Sequence, residues 1–327
     1  MLNEVFLTEQ IPERWRNTVI KPIPKQKVNN IAPESKRPIS LMNENLKLIN
    51  AVIKDRLNEI IEIEKLFPRL SFGFRKTCSS VTCVTYLVNQ IKTNKDLGVI
   101  SVGVFLDMSQ AFDSVKIQIL INTLHKLSIP HKIVSWLHTY LKNRHLILKT
   151  NEGNVVMTVS EGLPQGCPLS PTLFNLYTVI LHRNEHEGCE LIQFADDFAI
   201  LVSGESMDGI SEKINNYLRQ LKISLDSLNL KINISKCAAV VFFRKDSASL
   251  KIRIGNEKIE LKNNHLYLGY TLDKMLTHRK HIDTIRTKGA EKLKILKILG
   301  RRNGNASPDT LICTNPEQNR IWSIDLW

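Results

Sequence analysis

The sequence predicts an α+β fold, in which a mixed or antiparallel sheet packs on helices. Apolar residues recur at helical spacing in several stretches and form short β-branched runs in others. The two kinds of stretch do not alternate in the regular βα order of a doubly wound fold. With 327 residues, 43% of them hydrophobic, the chain is long enough for a sizeable core and more than one subdomain.

The first third of the chain indicates an extended segment, two helices and a strand. Residues 21–40 are basic and rich in proline, which biases each preceding residue toward extended backbone. Apolar residues at helical spacing predict helices over 45–61 and 81–91, the second with Ser80 as its N-cap. The nearly continuous apolar run 99–107 predicts a buried central strand.

The middle of the chain indicates a helix, a loop that leads into another helix, and a hairpin. One apolar face predicts a helix over 114–127. In the stretch LPQGCPLSP, Ser170 is placed to cap a helix whose first residue is Pro171. Residues 193–201 are apolar on both sides of two adjacent aspartates, which predicts a tight hairpin.

The last third of the chain continues the mixture of helices and strands. Six apolar residues aligned on one face predict a long helix over 208–229. Residues 238–243 and 266–272 each predict one strand, and 251–261 predict a hairpin around a Gly-Asn pair. The basic stretch 278–300 is expected to be helical.

The net charge of +13 is concentrated in two segments of the chain. Seven Lys or Arg residues lie between Arg14 and Arg37 against one acidic residue, and nine lie in 278–302 against two. Basic segments around a neutral centre suit a polyanionic partner, most simply nucleic acid. A solvated lysine-rich surface is the alternative that charge alone leaves open.

Cysteine usage and hydropathy favour an intracellular protein without a membrane span. The six cysteines form no CxxC pair, which fits a reducing compartment better than a disulfide framework or a structural zinc site. No apolar run approaches the ~20 residues that a membrane span needs, and the first ten residues lack a secretory signal pattern. We expect the nucleus or the cytoplasm, and no targeting signal distinguishes them.

Three aspartates are the strongest candidates for chemistry. Asp107 ends the predicted central strand, and Asp196 and Asp197 lie at the tip of the predicted hairpin. If strand and hairpin share a sheet, three like charges converge and raise one another's pKa. A pair of Mg²⁺ ions would remove the conflict, because Mg²⁺ prefers oxygen ligands. Two simpler alternatives remain: Asp107 caps the next helix, and the Asp pair is a polar turn.

An ordered series of motifs resembles the reverse transcriptase domain of non-LTR retrotransposons of the LINE type, close to jockey-like elements. The resemblance extends from about residue 12 to 285, and eight motifs in the same order make it specific. The motifs are PERWRNTVIKPIPK and KRPISLMNENLKLINAVIKDRL of the fingers, LSFGFRKTCSSV, FLDMSQAFDSV (motif A), EGLPQGCPLSPTLFNLY (motif B), FADD (motif C), LNLKINISKC (motif D), and LYLGYTLD, a hairpin that opens toward the thumb.

The resemblance implies a right-hand polymerase fold. Residues 1–98 would form the fingers, 99–275 the palm with interleaved fingers-proximal helices, and 276–327 a truncated helical thumb with an irregular tail. The implied activity is RNA-directed DNA polymerisation, by two-metal transfer of dNTPs onto a primer 3′-OH. The implied partners are an RNA template, a DNA primer and dNTPs, with no membrane. The implied cofactor is a pair of Mg²⁺ ions, for which Mn²⁺ can substitute.

The resemblance assigns the acidic residues and one lysine to catalysis. Asp107 and Asp196 match the two carboxylates that bridge the metal ions, and Asp197 matches the third acid of the site. Lys236 matches a lysine that donates a proton to the leaving pyrophosphate, although an exposed lysine before a strand is the simpler interpretation. Asp113 is interpreted as support for the cap of the following helix.

A second set of residues matches the nucleotide-binding positions of the family. Lys25 and Arg37 match fingers residues that hold the triphosphate. Phe112 matches the aromatic residue that packs under the incoming sugar and excludes a ribose 2′-OH; a core aromatic at a helix start is the alternative. Gln165 matches a hydrogen-bonding residue near the nascent base pair, and Gly166, like Gly162, permits close backbone approach.

The sequence also departs from the family pattern. The third motif begins with Phe where Tyr is commoner, and after about Gly300 no helical period continues. One alternative is therefore an inactive or co-opted copy that binds nucleic acid without polymerising. Another is an RNA-dependent RNA polymerase, which Phe112 argues against because such enzymes need room for the 2′-OH. His278 and His281 are expected to be surface residues.

Overall fold

The computed structural model describes residues 2–24, 35–183, 188–244 and 250–302. It contains the helices α1 (Leu2–Thr8), α2 (Glu13–Arg16), α3 (Glu44–Ile63), α4 (Ser80–Asp96), α5 (Ile117–Lys126), α6 (His131–Leu141), α7 (Ser170–Thr178), α8 (Met207–Ser227) and α9 (Arg279–Arg302). No helix in these ranges combines the length and apolarity that crossing a membrane requires.

The strands form two larger sheets and two small hairpins. They are β1 (Asn17–Pro24), β2 (Lys36–Leu41), β3 (Ile100–Ser109), β4 (Arg144–Thr150), β5 (Gly153–Val159), β6 (Cys189–Phe194), β7 (Asp197–Gly204), β8 (Lys231–Ile232), β9 (Ala238–Phe242), β10 (Arg253–Ile254), β11 (Glu257–Lys258), β12 (Glu260–Leu261), β13 (Asn264–Tyr267) and β14 (Tyr270–Asp273). The mixture of helices with mixed sheets confirms the predicted α+β class.

The central sheet has the strand order β12-β9-β3-β7-β6, with β8 paired to the end of β3. Strand β3 lies between β7 and β9 and is antiparallel to both. Its continuous apolar sequence has a physical reason, because both faces are covered. Val102, Val104 and Leu106 belong to the core that helices α5 to α8 share, whereas Phe105 packs with α4 and β13 on the other face.

The second sheet has the strand order β2-β1-β4-β5 and combines two distant parts of the chain. Strand β1 pairs with β2 in antiparallel orientation and with β4 in parallel orientation. The hairpin β4–β5 and helix α6 were not predicted from the sequence. In β5 the apolar residues Val155, Val156 and Met157 are consecutive and exposed, so neither helical nor alternating periodicity is present.

Most predicted elements are confirmed, and four details are corrected. The N-cap of α4 is Ser79, so the predicted cap Ser80 is instead the first residue of the helix. Helix α5 begins at Ile117 rather than at 114. Ser170 is the first residue of α7 and not its N-cap, because its hydroxyl donates to the Pro164 carbonyl at 2.7 Å. Residues 266–272 form part of the β13–β14 hairpin rather than one strand, since Leu268 and Gly269 have the positive φ angles of a tight turn.

The base of α9 also differs from the sequence expectation. His278 and His281 are half-buried rather than free at the surface. The ring of His281 lies 3.9 Å from that of Tyr270, centroid to centroid, and His278 Nδ1 is 2.5 Å from the Tyr270 hydroxyl.

The five cysteines within the described ranges are free thiols. The division into 1–98, 99–275 and 276–327 stays a prediction.

Candidate active site

The pairing of β3 with β7 brings the three candidate carboxylates to one end of the central sheet. Asp107 lies directly opposite Asp197 in the antiparallel register. Strands β6 and β7 form a hairpin in which Phe194 pairs with Asp197, so that Ala195 and Asp196 form a two-residue turn. The geometry therefore places Asp196 at the turn, beside the facing pair.

The conformation of this turn depends on two small residues. Ala195 has φ of 56° at the first central position, which is typical of the type II′ turns that suit the twist of a hairpin. Gly73, from the GFR stretch, packs against the turn so closely that a Cβ there would lie 2.4 Å from the Ala195 nitrogen. A larger residue at position 73 would push the turn away.

The electrostatics of the cluster are those of crowded like charges. Asp196 and Asp197 are open to solvent but lie in a concave site with much protein around them. Desolvation raises the pKa of Asp197 to about 6, with further contributions from the charges of Asp196 and Asp107. Desolvation also raises the pKa of Asp196, and the nearby charge of Arg37 lowers the pKa of both carboxyls. A divalent cation would relieve this repulsion.

Lys236 lies at the same site. The backbone N–H of Asn233 donates to the Asp107 carbonyl at 2.8 Å, which places the 3₁₀ turn Ile234–Lys236 beside the end of β3. Lys236 Nζ lies 3.2 Å from Asp107 Oδ2, and its side chain is 64% exposed. This contact is an ion pair without hydrogen-bond geometry, and Oδ2 is a buried atom with no hydrogen bond to any described residue.

The carboxylates fit a divalent ion in part. An acceptor oxygen that is buried and lacks a hydrogen bond, as in Asp107, is suited to a cation. Within the described residues no group of three or more His, Cys, Asp or Glu side chains is arranged to enclose a metal ion. Such a partial protein set suits Mg²⁺, which takes most of its ligands from water and phosphate.

A cavity of about 210 Å³ opens beside the carboxylates. Asp107, Asp197 and Lys236 line it, together with His265 and Tyr267 of β13. Strand β13 therefore forms one wall of the site. The small hairpin β13–β14 consequently belongs to the functional site as well as to the fold.

Phe112 lies on the turn that follows β3. Its ring stacks on Phe174 of α7, with centroids 4.9 Å apart and planes 20° from parallel, and it is only half-buried. The carbonyl of Phe112 accepts from the Leu163 N–H at 2.8 Å, which ties this turn to the motif B loop. Gly162 is needed in that loop, because it has φ of +75° and a Cβ there would lie 2.9 Å from the Asp113 carbonyl oxygen.

Gln165 and Gly166 connect the motif B loop to both neighbouring elements. Gln165 Nε2 lies 3.2 Å from each carboxylate oxygen of Asp113, and the Gln165 carbonyl accepts from the Ser40 N–H at 2.7 Å. At Gly166, with φ of +104°, a Cβ would lie 3.2 Å from the Ser40 carbonyl oxygen. Strand β2, which carries Arg37, is thereby held against this loop.

The structure corrects the interpretation of Asp113. The N-cap position of α5 is Lys116, and the Ile117 N–H donates to the Glu161 carboxylate at 3.0 Å. Asp113 therefore does not cap the helix and instead accepts the Gln165 amide. The two residues are 52 positions apart, so no local pattern in the sequence predicts this contact.

The predicted site residues within the described ranges form two groups. Asp107, Asp196, Asp197, Lys236 and Arg37 lie around one cluster, whereas Phe112, Gln165 and Gly166 are tied together by the motif B loop. Lys25 lies outside the described residues. Gln193, a buried amide in an apolar strand two residues before the turn, was not predicted, although a lone Gln in such a run is a usable signal.

Helix α9 provides a basic surface at the end of the described chain. Exposed basic side chains along it are Arg279, Lys280, Arg286, Lys288 and Lys294. Exposed apolar residues, including Ile282 and Ile285, lie among them. The helix therefore combines charge that suits a phosphate backbone with an apolar component.

Comparison with known proteins gives a consistent result. Residues 23–272 match the family described as "Reverse transcriptase (RNA-dependent DNA polymerase)". The chain is 30% identical over 309 residues to the "Probable RNA-directed DNA polymerase from transposon BS" of Drosophila melanogaster, which covers 92% of this chain and 34% of the relative. It is 27% identical over 296 residues to the jockey RNA-directed DNA polymerase of the same species, over 87% of this chain and 32% of that protein.

Solved structures support the fold. An apo telomerase from Candida tropicalis, truncated from the C-terminal domain, superposes with a TM-score of 0.56 at 16% identity, over 84% of this chain and 58% of that one. A telomerase from Candida albicans in complex with a telomeric RNA fragment gives 0.52 at 12% identity, over 76% and 45%. The chain spans about a third of the length of the curated relatives it matches.

Proposed function

The chain belongs to the reverse transcriptase family, and from this premise we propose that it is an RNA-directed DNA polymerase that adds dNTPs to a primer 3′-OH. The observation that carries the proposal is the register of the central sheet, in which Asp107 faces Asp197 and the adjoining turn presents Asp196. We propose 1–98 as fingers, 99–275 as palm and 276–327 as a partial thumb.

Asp107 and Asp196 are the proposed ligands of two Mg²⁺ ions, with Asp197 as the third acid. When bound, such ions lower the pKa of the attacking hydroxyl and neutralise the pyrophosphate leaving group. The convergence of the three carboxylates at one end of the sheet supports this assignment, because carboxylates crowded together favour a bound cation. The part of the carboxylates would be to hold such ions at the end of the central sheet.

The nucleotide would lie between the second sheet, β2-β1-β4-β5, and the central sheet. Arg37 is already close enough to influence both Asp196 and Asp197, so its guanidinium is placed to bind a triphosphate above them. Phe112 would lie under the sugar, and Gln165 with Gly166 would contact the nascent base pair. Lys25, which lies outside the described residues, is proposed as a further phosphate contact from its sequence motif alone.

Lys236 is the proposed general acid. Its ammonium is the nearest described cation to Asp107, and its exposed side chain is free to turn toward a leaving pyrophosphate. The basic side chains of α9 would follow the backbone of an RNA–DNA duplex, which proteins recognise by shape and phosphate rather than by base sequence.

Primer extension tests this function. The assay uses poly(rA)/oligo(dT) with dTTP and Mg²⁺, and compares the wild type with Asp196→Ala and with Asp55→Ala, a control at an exposed aspartate. Extension by the wild type and the control but not by Asp196→Ala is the expected result. Binding of the primer–template without extension by any of them would instead identify a nucleic-acid-binding relic.

A further inference from the structure

A buried amide lies directly beneath the turn that carries the candidate metal ligands. Gln193 of β6 is 1% exposed. Its Nε2 donates to the Ala195 carbonyl at 2.9 Å and to Thr178 Oγ1 at 2.8 Å, and its Oε1 lies 2.9 Å from His182 Nε2. The Ala195 carbonyl is part of the Ala195–Asp196 turn, so this side chain contacts the backbone that positions Asp196.

The direction of every hydrogen bond in this network is determined by chemistry. The Ala195 carbonyl can only accept, so the amide nitrogen of Gln193 must face it. The amide oxygen then faces His182, whose Nε2 must carry the donated proton. The Thr178 hydroxyl donates its hydrogen bond to the carbonyls of Phe174 and Asn175, at 3.0 and 3.2 Å. One orientation of the Gln193 amide satisfies all partners.

The same turn is held from its other side. The Gln193 N–H donates to the Leu70 carbonyl at 2.9 Å, and the Phe72 N–H donates to the Gln193 carbonyl at 2.8 Å. These bonds hold the segment that presents Gly73 to the Ala195 nitrogen, and Asn175 Nδ2 donates to the Gly73 carbonyl at 2.6 Å. The turn is therefore confined between a side chain that binds its carbonyl and a backbone that packs on its nitrogen.

A purely structural role would not require an amide here. An apolar residue of similar size avoids the desolvation of a buried amide, which is favourable only when all its hydrogen bonds are made. Gln193 makes three, which use both amide hydrogens and the amide oxygen, and one of them is to the turn backbone itself. The presence of an amide rather than an apolar side chain at position 193 is therefore explained by its bond to Ala195.

We propose that Gln193 is a positioning residue, which fixes the Ala195–Asp196 turn so that the carboxylates of Asp196 and Asp197 converge with Asp107 on a divalent ion. This inference rests on the proposed metal-binding role of these aspartates. Gln193 acts through the turn backbone and makes no contact with the ion. His182 and Thr178 orient Gln193 in turn.

The test measures Mn²⁺ binding by electron paramagnetic resonance on the full chain, without nucleotide. Gln193→Met keeps the size of the side chain but removes the bond to Ala195. We expect Kd for Mn²⁺ to rise about fivefold, the factor that corresponds to a net hydrogen-bond contribution of ~1 kcal/mol. Asn94→Leu is the matched control, because Asn94 is a buried amide that donates to Ser101 at the opposite end of β3.

The outcomes separate positioning from stability. Both variants are expected to lower Tm, but only Gln193→Met is expected to weaken Mn²⁺ binding and to reduce kcat in primer extension. Equal Mn²⁺ affinity in Gln193→Met and the wild type would overturn the proposal. If Gln193→Met does not fold, His182→Phe, which leaves Oε1 without its donor, is expected to weaken Mn²⁺ binding about twofold, and an unchanged Kd would overturn it.

Failure of the proposed function has a different signature. If the wild type binds Mn²⁺ in a manner that Asp196→Ala abolishes, but extends no primer, the polymerase activity fails while the role of Gln193 is still decided by Kd. If Asp196→Ala leaves Mn²⁺ binding unchanged, the metal site itself is wrong and the positioning role falls with it.

Discussion

Lys236 and Asp107 form an ion pair at the end of the central strand, with Nζ 3.2 Å from Oδ2. The contact joins the motif D turn to the carboxylate that the sheet register sets opposite Asp197. Because the lysine side chain is largely exposed, its contribution to stability is expected to be small. Its significance lies in placing a proton donor beside the proposed metal ligands.

Replacing this lysine tests the general-acid role. Lys236→Ala is expected to lower the rate of single-nucleotide incorporation by about 10²-fold, the lower range for general acid catalysis, with a smaller change in KM for dTTP. Single-turnover extension measures both quantities. Lys222→Ala, at another exposed lysine in an ion pair, is the control and should retain the wild-type rate. A Lys236→Ala rate equal to that of the control would exclude proton donation by Lys236.

The raised pKa of Asp197 predicts a pH-dependent stability. Its pKa is about 6 in the folded protein, above the ~3.9 of an unfolded chain. Between these values the folded state keeps a proton that the unfolded state has lost, so the free energy of unfolding falls as pH rises. Without metal, Asp197→Asn is therefore expected to raise Tm at pH 7.5, and the gain should shrink toward pH 4. A gain that is constant with pH would contradict the pKa assignment.

Phe112 is expected to select against ribonucleotides. Its ring stacks on Phe174 and is only half-buried, and we propose that the uncovered face lies under the sugar. Phe112→Val is predicted to raise the ratio of kcat/KM for rUTP over dTTP at least about tenfold, equivalent to ~1.4 kcal/mol. Phe6→Val, which removes a ring that packs on Trp136, is the control and should leave the ratio unchanged. No gain in rUTP use would remove this role from Phe112.

Asp113 is expected to orient Gln165. The charge-assisted contact from the Gln165 amide to both Asp113 oxygens should be stronger than a neutral hydrogen bond. Asp113→Ala is predicted to raise KM for dTTP about fivefold while kcat changes less, consistent with ~1 kcal/mol of lost interaction. In a Gln165→Ala background the same substitution should add nothing. Additive effects of the two substitutions would show that they act independently.

The sequence was sufficient to predict the strand and the hairpin that carry the carboxylates. The β-branched run before Asp107 predicted a buried strand, and the apolar flanks of Asp196 and Asp197 predicted a hairpin, because both signals are local. The hairpin β4–β5 was missed, since its exposed strand has no periodicity. Its pairing with β1, more than a hundred residues earlier, is a non-local event that local patterns do not encode.

The supporting contacts of the site were the least accessible to sequence reasoning. Asp113 precedes a helix and was interpreted as part of its cap, but Glu161 accepts the first helical N–H instead. Gln193 was interpreted only as part of the apolar stretch around the two aspartates, although its amide donates to the carbonyl of the neighbouring turn. In both cases the partner is set by tertiary packing, so spacing along the chain does not reveal it.

Iron-mediated backbone cleavage tests most directly whether the carboxylates share one ion. Fe²⁺ substitutes for Mg²⁺ in the primer–template complex, and ascorbate with peroxide then generates radicals that cut the chain beside the bound metal. If the carboxylates share one ion, paired cuts are expected near Asp107 and near Asp196, both suppressed by excess Mg²⁺ and both lost in Asp107→Ala. Cutting near only one of the two aspartates would contradict a shared ion.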